Sequence, residues 1–267
     1  MRLWNGWGNE DSDLTMELSD GLRALLEALV GPGTALSQAT LNEVIAKVPN
    51  TRLGDHPLIK TDPETRVRHA RGQSLPDWLE MHSGNVDTFP DGVAFPESSE
   101  QVRELLAHAK ENNLIVIPYG GGTSVVGHIN PETSDKPVLT IDMAKMNSML
   151  SIDTESQLAT FGAGAPGPVV EEELKKHGYT LGHFPQSWEL STLGGWVASR
   201  SSGQQSLHYG RIENMFAGGT IETLNGTMKI PTIPASSAGP DVREMILGSE
   251  GRIGIITEVT VRFTPLP

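Results

Sequence analysis

The chain has 267 residues, a formal net charge of −13, 37% hydrophobic and 20% charged residues, and no cysteine. That length and composition suit a folded chain with one large domain or two small ones around a real core. The lack of cysteine excludes disulfides, thiolate metal sites and a cysteine nucleophile, and the acidity argues against nucleic acid or anionic membranes as partners.

The first residues carry no apolar core of signal-peptide length, and no stretch approaches the roughly 18 apolar residues that suggest a membrane span. The closing Thr264-Pro265-Leu266-Pro267 is not a peroxisomal address, so the expected location is the cytoplasm. Residues 1–85 read as an irregular, partly helical extension. It holds a helix over Gly21–Val30, capped by Ser19 or Asp20 and stopped by Gly31, and a short helix after Thr40. A basic cluster follows, Arg66, Arg68, His69 and Arg71, which reads either as a solvated face or as a site for an anionic substrate.

From Val93 the pattern becomes regular. Ser98-x-x-Gln101 reads as a capping box, and Val102, Leu105, Leu106 and Ala109 mark one face of the helix it opens. Leu114–Ile117 is a short buried strand running into PYGGGTS, Pro118–Ser124. Strands are expected at Val138–Asp142, Met149–Asp153 and Gln157–Ala163, and a helix at Pro168–His177 with Gly178 at its end. Asn225-Gly226 between two β-branched runs signals a hairpin. A short helix, Val242–Leu247, and a long strand, Arg252–Phe263, complete the chain. Helices alternating with hairpins give an α+β fold of two subdomains, about 86–145 and 146–267.

Four segments carry chemistry. Gly120, Gly121 and Gly122 follow a strand directly. Successive amides in such a turn form a nest for an anion, and glycine lets a ligand approach the backbone closely. No Lys or Arg lies in this segment, so it fails the phosphate-loop ATPase pattern, and a phosphate here would be held by backbone dipoles. Gly121→Val is therefore expected to abolish nucleotide binding while leaving the fold largely intact. The second segment, Gly162-Ala-Gly-Ala-Pro-Gly167, is a formal G-x-G-x-x-G with Glu189 about twenty residues on, the rival phosphate site. Pro166 removes an amide near the helix start, where phosphate donors are wanted, so Gly164→Ala is expected to be nearly neutral. The third is QSWELSTLGGW, Gln186–Trp196. Gly194 and Gly195 in a first helical turn imply either a flat ligand against the backbone or close packing on another element. The fourth, Gly248–Gly254, is a glycine-rich turn before the last strand. The eight histidines show no ligand spacing, so no metal is expected, and His183 and His208 read as structural.

In order and spacing these segments resemble the FAD-binding domain of the vanillyl-alcohol-oxidase (PCMH-type) superfamily, and within it the alkyldihydroxyacetonephosphate synthases. PYGGGTSV, GHFPQSWELSTLGGWVASRSSG, HYGRIENM and GPDVREMILGSEGRIGIITEVTVRF carry the likeness, with WNGWG near the start. The resemblance implies two α/β subdomains with FAD between them in residues 86–267. Pro118, Tyr119, Gly120, Gly121, Gly122, Thr123 and Ser124 would hold the pyrophosphate. Gln186, Ser187, Trp188, Glu189, Leu190, Ser191 and Thr192, with Gly195, Ser199, Arg200, Ser201 and Ser202, would line the flavin and ribityl region. Glu250, Gly251, Arg252, Ile253, Gly254, Ile255 and Ile256 would meet the adenosine side.

Gln186 stands where the family often has Asp. Thr123 occupies the position where covalent relatives carry a flavin-linked His, so the FAD is expected to be non-covalent. The activity implied is exchange of acyl for alkyl on dihydroxyacetone phosphate, an ether-lipid step acting on a small-molecule or lipid-precursor substrate. The alternatives are oxidation of a 2-hydroxy acid such as D-lactate or glycolate, and a non-catalytic FAD-binding fragment. The family's cap domain, which supplies the chemistry, is expected to be absent here, so no catalytic residue is named. A homodimer is left open.

Overall fold

The computed structural model describes residues 2–11, 18–34, 36–233 and 237–267. The N-terminal part holds α1 (Asp20–Val30), α2 (Leu41–Ile45), β1 (Ile59–Lys60), α3 (Pro63–Arg68) and α4 (Leu75–Ser83). Ser19 caps α1 through its hydroxyl, and Thr40 and Glu43 form a reciprocal capping box on α2. Helices α3 and α4 were not legible in the sequence. Each starts on a side-chain cap followed by proline, Asp62-Pro63 and Ser74-Leu75-Pro76, a start signal that the polar composition disguises.

The first sheet has the order β1-β2-β4-β3, with β2 (Gly92–Ala94), β3 (Ile115–Tyr119) and β4 (Val138–Asp142) parallel and β1 antiparallel at the edge. Helix α5 (Ser99–Glu111) makes the crossover between β2 and β3. Its buried face is Val102, Leu105, Leu106 and Ala109, as the periodicity predicts. Ser98 caps it, but the Gln101 side chain accepts from the amide of Glu97 rather than closing a box with Ser98. Strand β1 comes from the extension, so the first 85 residues complete this sheet as well as preceding it.

The second sheet is antiparallel throughout, in the order β5-β6-β10-β8-β9. It comprises β5 (Met149–Asp153), β6 (Leu158–Gly162), β8 (Phe216–Thr223), β9 (Gly226–Ile230) and β10 (Ile255–Arg262). Between β6 and β8 come α6 (Gly167–Lys175), β7 (Tyr179–Thr180), α7 (Leu193–Ser199), α8 (Ser206–Tyr209) and α9 (Ile212–Met215). Helix α10 (Arg243–Ile246) precedes β10, and β11 (Thr264–Pro265) pairs with β7. The hairpin at Asn225-Gly226 is present, on a strand longer than the sequence suggested.

Three apolar clusters correspond to the three parts. The largest gathers Phe161, Leu174, Trp196, Phe216, Val259 and Phe263 under the second sheet. A second joins α5 to β4 around Leu105, Leu139 and Ile141, and a third packs α2 to α4 around Val44, Val67 and Met81. Helix α5 also packs on β8 and β10, joining the two sheets. Ser99 donates to the Thr257 hydroxyl (2.9 Å), and Arg103 pairs with the fully buried Glu222 (2.9 Å). Helix α1 buries nothing; Leu22, Leu25, Leu26 and Leu29 are exposed. Among the described residues no helix is long and apolar enough to cross a membrane.

Candidate functional site

The C-terminal end of β3 feeds the triple glycine into the cleft between the sheets. The cleft holds a cavity of about 340 Å³, walled on one side by Pro118–Val126 and on the other by Ser191, Thr192 and α7. Gly251 and Gly254–Ile256 close it. A second chamber of about 650 Å³ adjoins it, sharing Thr123, Val125 and Ser187. It is lined by Trp7, Gln73, Trp78, Gln186, Ser202 and Gln204.

Only Gly122 of the three glycines has positive φ, at 63°. A side chain there would strike the Tyr119 ring and hydroxyl. Gly120 and Gly121 are needed for a different reason: a Cβ on either would overlap the facing segment, Thr192 Oγ1 and the Leu190 carbonyl respectively. The constraint on Gly121 is thus contact between the two cavity walls rather than a left-handed backbone. The amides of Gly121, Gly122, Thr123 and Ser124 find no protein acceptor among the described residues. Four adjacent donors without protein acceptors, in a loop facing a cavity, fit a bound anion.

The N-terminal part clamps this loop from behind. Arg2 donates to the Gly121 carbonyl, and the Gln73 amide to the Ser124 carbonyl (2.6 Å). Asn130 accepts from the Gly72 amide (2.9 Å) and donates to Asp77 (2.6 Å). His69 meets Asp142 at 2.9 Å and packs on Tyr119, with ring centroids 4.7 Å apart. Burial pushes the Tyr119 phenol up to about 12, so it stays neutral behind the loop. The basic cluster thus proves to be neither a solvated face nor a substrate site. Arg66 is buried and donates to the carbonyls of Pro49 and Pro90, and Arg71 is tied to Glu80, Asp87 and Thr88. Arg68 reaches Glu64 and the Arg2 carbonyl.

The facing wall is the segment Gln186–Ser202. Thr192 caps α7 by accepting from the Gly195 amide. The paired glycines differ in what surrounds them. Gly194 is pressed against Ala163, where a Cβ would meet that residue's side chain and carbonyl. Gly195 lines the cavity with only Thr192 Oγ1 near its missing Cβ, at 3.2 Å. Ser187, Ser191, Thr192, Ser199 and Ser201 bring hydroxyls to the wall. Of the residues the sequence assigned here, Gln186 and Ser202 line the second chamber. Trp188, Glu189, Leu190, Arg252 and Ile253 line neither. Trp188 sits over Gly167, and Leu190 touches Gly121 through its backbone.

Arg200 is corrected: it is the left-handed C-cap of α7, and its guanidinium pairs with Glu213 (2.7 Å) and Glu244 (2.9 Å) instead of lining the cavity. The structure adds Val125, Val126, His128, Ile129, Met143, Ala163, Gly194, Trp196 and Ala198 to the lining. The turn after Ser124 carried no signal beyond its apolar pair and could not have been assigned from the sequence.

The rival G-x-G-x-x-G is a packing device. Side chains at Gly162, Gly164 and Gly167 would strike the carbonyls of Met146 and Met143 and the Trp188 indole. Pro166 occupies the N-cap of α6, with no side-chain cap bond.

His183 is buried beneath the wall. Its Nε2 meets the Ser201 hydroxyl at 2.7 Å, and its ring lies edge-on to Trp196. Burial pushes its imidazole down to about 4, so the folded protein holds it neutral. The unfolded chain takes up this proton near pH 6.5. The resulting stabilisation is thus complete above about pH 6.5 and is lost as pH falls towards 4. Urea unfolding should show a loss on the order of 3 kcal/mol across that window. His183→Gln should lack this increment, and an unchanged slope in the variant would place the titration elsewhere. Among the described residues no group of His, Asp and Glu is placed to hold a metal.

Comparison with known proteins agrees with this geometry. The family described as FAD binding domain matches residues 90–230. An alkyldihydroxyacetonephosphate synthase of Dictyostelium discoideum is 40% identical over 209 residues, 78% of this chain and 34% of that protein. One of Caenorhabditis elegans is 32% identical over 293 residues, 99% of this chain and 49% of that protein. A solved alkyldihydroxyacetonephosphate synthase superposes with a TM-score of 0.85 at 32% identity, covering 100% of this chain and 55% of its own. The chain thus spans between about a third and about half the length of these relatives. With a glycine nest of unpartnered amides at the cleft and a family match across more than half its length, the chain belongs to the PCMH-type FAD-binding domain family.

Proposed function

We propose that residues 86–267, backed by the extension 1–85, form the FAD-binding part of a flavoenzyme of the alkyldihydroxyacetonephosphate synthase type. The whole enzyme would exchange acyl for alkyl on dihydroxyacetone phosphate, a small-molecule lipid precursor. The observation that carries the reading is the row of amides from Gly121 to Ser124, unpartnered within the described residues and facing a cavity lined by no Lys or Arg. Such a site suits a pyrophosphate held by backbone dipoles, with Thr123 and Ser124 adding hydroxyls. The smaller cavity is too small for a whole dinucleotide. The second chamber, reached past Thr123, supplies the remaining room among Gln73, Gln186, Gln204, Trp7 and Trp78. Bound there, FAD supplies an electrophilic ring system for chemistry at the substrate carbon. The protein's own part is to hold the cofactor, fix Ser201 through His183 and keep charged side chains out of the second chamber.

The cofactor is held without a covalent bond, because Thr123 stands where the covalent relatives carry a flavin-linked His. Two measurements test this. Titration should give saturable FAD binding with quenching of flavin fluorescence, and no binding would end the reading. Acid precipitation of the loaded protein should then release all the yellow colour to the supernatant, whereas colour in the pellet would show a covalent link.

A further inference from the structure

We propose that His128 supplies the side-chain counter-charge to the pyrophosphate, a role that rests on the FAD reading above. Among the described residues, no Lys or Arg lines either chamber. One carboxylate does line the smaller one: Glu250, held at a left-handed φ of 49° with its amide bonded to the Ala198 carbonyl (2.9 Å). A carboxylate facing a cavity meant for a dianion is unfavourable unless a cation stands between them. Among the described residues, His128 is the only side chain lining this cavity able to provide one.

The geometry suits that role. His128 lies on the turn beyond Ser124, next to Glu250. Its Nδ1 is 3.2 Å from the Ser124 hydroxyl and 3.9 Å from Glu250 Oε1. Both contacts fall on the same ring nitrogen, which leaves Nε2 without a protein partner among the described residues. A protonated imidazole can therefore donate one N–H to the Ser124 hydroxyl, keep Glu250 at ion-pair distance and offer the other N–H to a phosphate oxygen. The charged groups around it are Glu250 on the facing turn and Arg252, 3.7 Å from the other Glu250 oxygen but largely exposed and outside the cavity. The pair also ties the nucleotide loop to the turn before β10, so the cation would bridge two walls as well as neutralise the ligand.

The test is FAD affinity at about pH 6 and about pH 8.5, either side of the range in which imidazole side chains usually titrate. It is read by flavin fluorescence on the 267-residue chain, with riboflavin, which lacks the pyrophosphate, as the control probe. The wild type should bind FAD about five- to tenfold more tightly at the lower pH, the scale of one charge-assisted hydrogen bond partly open to solvent. His128→Gln should bind at both values as weakly as the wild type does at the higher one. His128→Lys should bind tightly at both, and riboflavin should show no such dependence. The assignment is overturned if His128→Gln keeps the pH dependence, or binds as tightly as the wild type at the lower pH. A wild type that binds no FAD at either pH overturns the FAD reading itself.

Discussion

Gly121→Val is expected to abolish FAD binding and to cost stability as well. The Cβ would lie on the Leu190 carbonyl, backbone against backbone, with the Ser191 Cα 2.9 Å away. Neither neighbour can swing aside as the tip of a long side chain would. The loop and the Gln186–Thr192 segment must therefore separate, and these are the two walls of the cavity. Forced overpacking of this kind costs roughly 1–3 kcal/mol. The ligand loses more, because the Gly121–Ser124 amides are displaced and, among the described residues, no lining Lys or Arg can compensate. An affinity loss of at least about 100-fold is expected, since about 1.4 kcal/mol corresponds to each factor of ten. Gly195→Ala separates the two effects. Its Cβ would enter the cavity and meet only Thr192 Oγ1, so it should weaken FAD with little change in the urea midpoint. Wild-type affinity in Gly121→Val would show that the loop is not the phosphate site.

The triple-glycine loop was legible because three glycines directly after a strand have few uses, although β3 is a half-buried edge strand and not the buried one expected. The contact that constrains Gly121 was not legible. Overlap with Leu190, about seventy residues away in the chain, has no local signature, whereas the positive φ of Gly122 follows from local turn chemistry. The same limit governs Arg66, Arg68 and Arg71. A run of cations reads as a surface, and only the fold brings the Pro49 and Pro90 carbonyls, Glu80 and Asp87 to them. Helix periods were legible where one continuous face is buried, as in α5. They were not legible in α3 and α4, which are short and owe their starts to caps and proline. His128 and Val125 line the cavity from the turn after Ser124, which Asn130 ties to Asp77. The family resemblance located the other wall, yet it assigned Arg200 to the ligand when the nearest carboxylates are Glu213 and Glu244.

Gly164→Ala should be among the more damaging single substitutions in this chain, against the sequence expectation that it is nearly neutral. The Gly164 amide donates to the Met146 carbonyl (2.9 Å), and its missing Cβ points at the Met143 carbonyl, with Met146 O a further 3.1 Å neighbour. Met143 directly follows β4, and its amide bonds to the Tyr119 carbonyl (3.0 Å). The turn after β6 is therefore pressed against the end of the first sheet, and a methyl group must push the two subdomains apart. Ala163 and Gly194, which meet at this seam and line the cavity, would move with it. A cost of about 3 kcal/mol is expected, the upper range for overpacking a close contact, with FAD weakened roughly tenfold for about 1.4 kcal/mol of lost geometry. Gly178→Ala is the control. Its φ is 82° and nothing lies within reach of a Cβ, so it should cost only about 1 kcal/mol of backbone strain and leave FAD affinity unchanged. If Gly164→Ala unfolds within about 0.5 kcal/mol of the wild type, as an ordinary surface change would, the seam is not the rigid contact described. A variant that also kept full FAD affinity would detach the G-x-G-x-x-G turn from the site altogether.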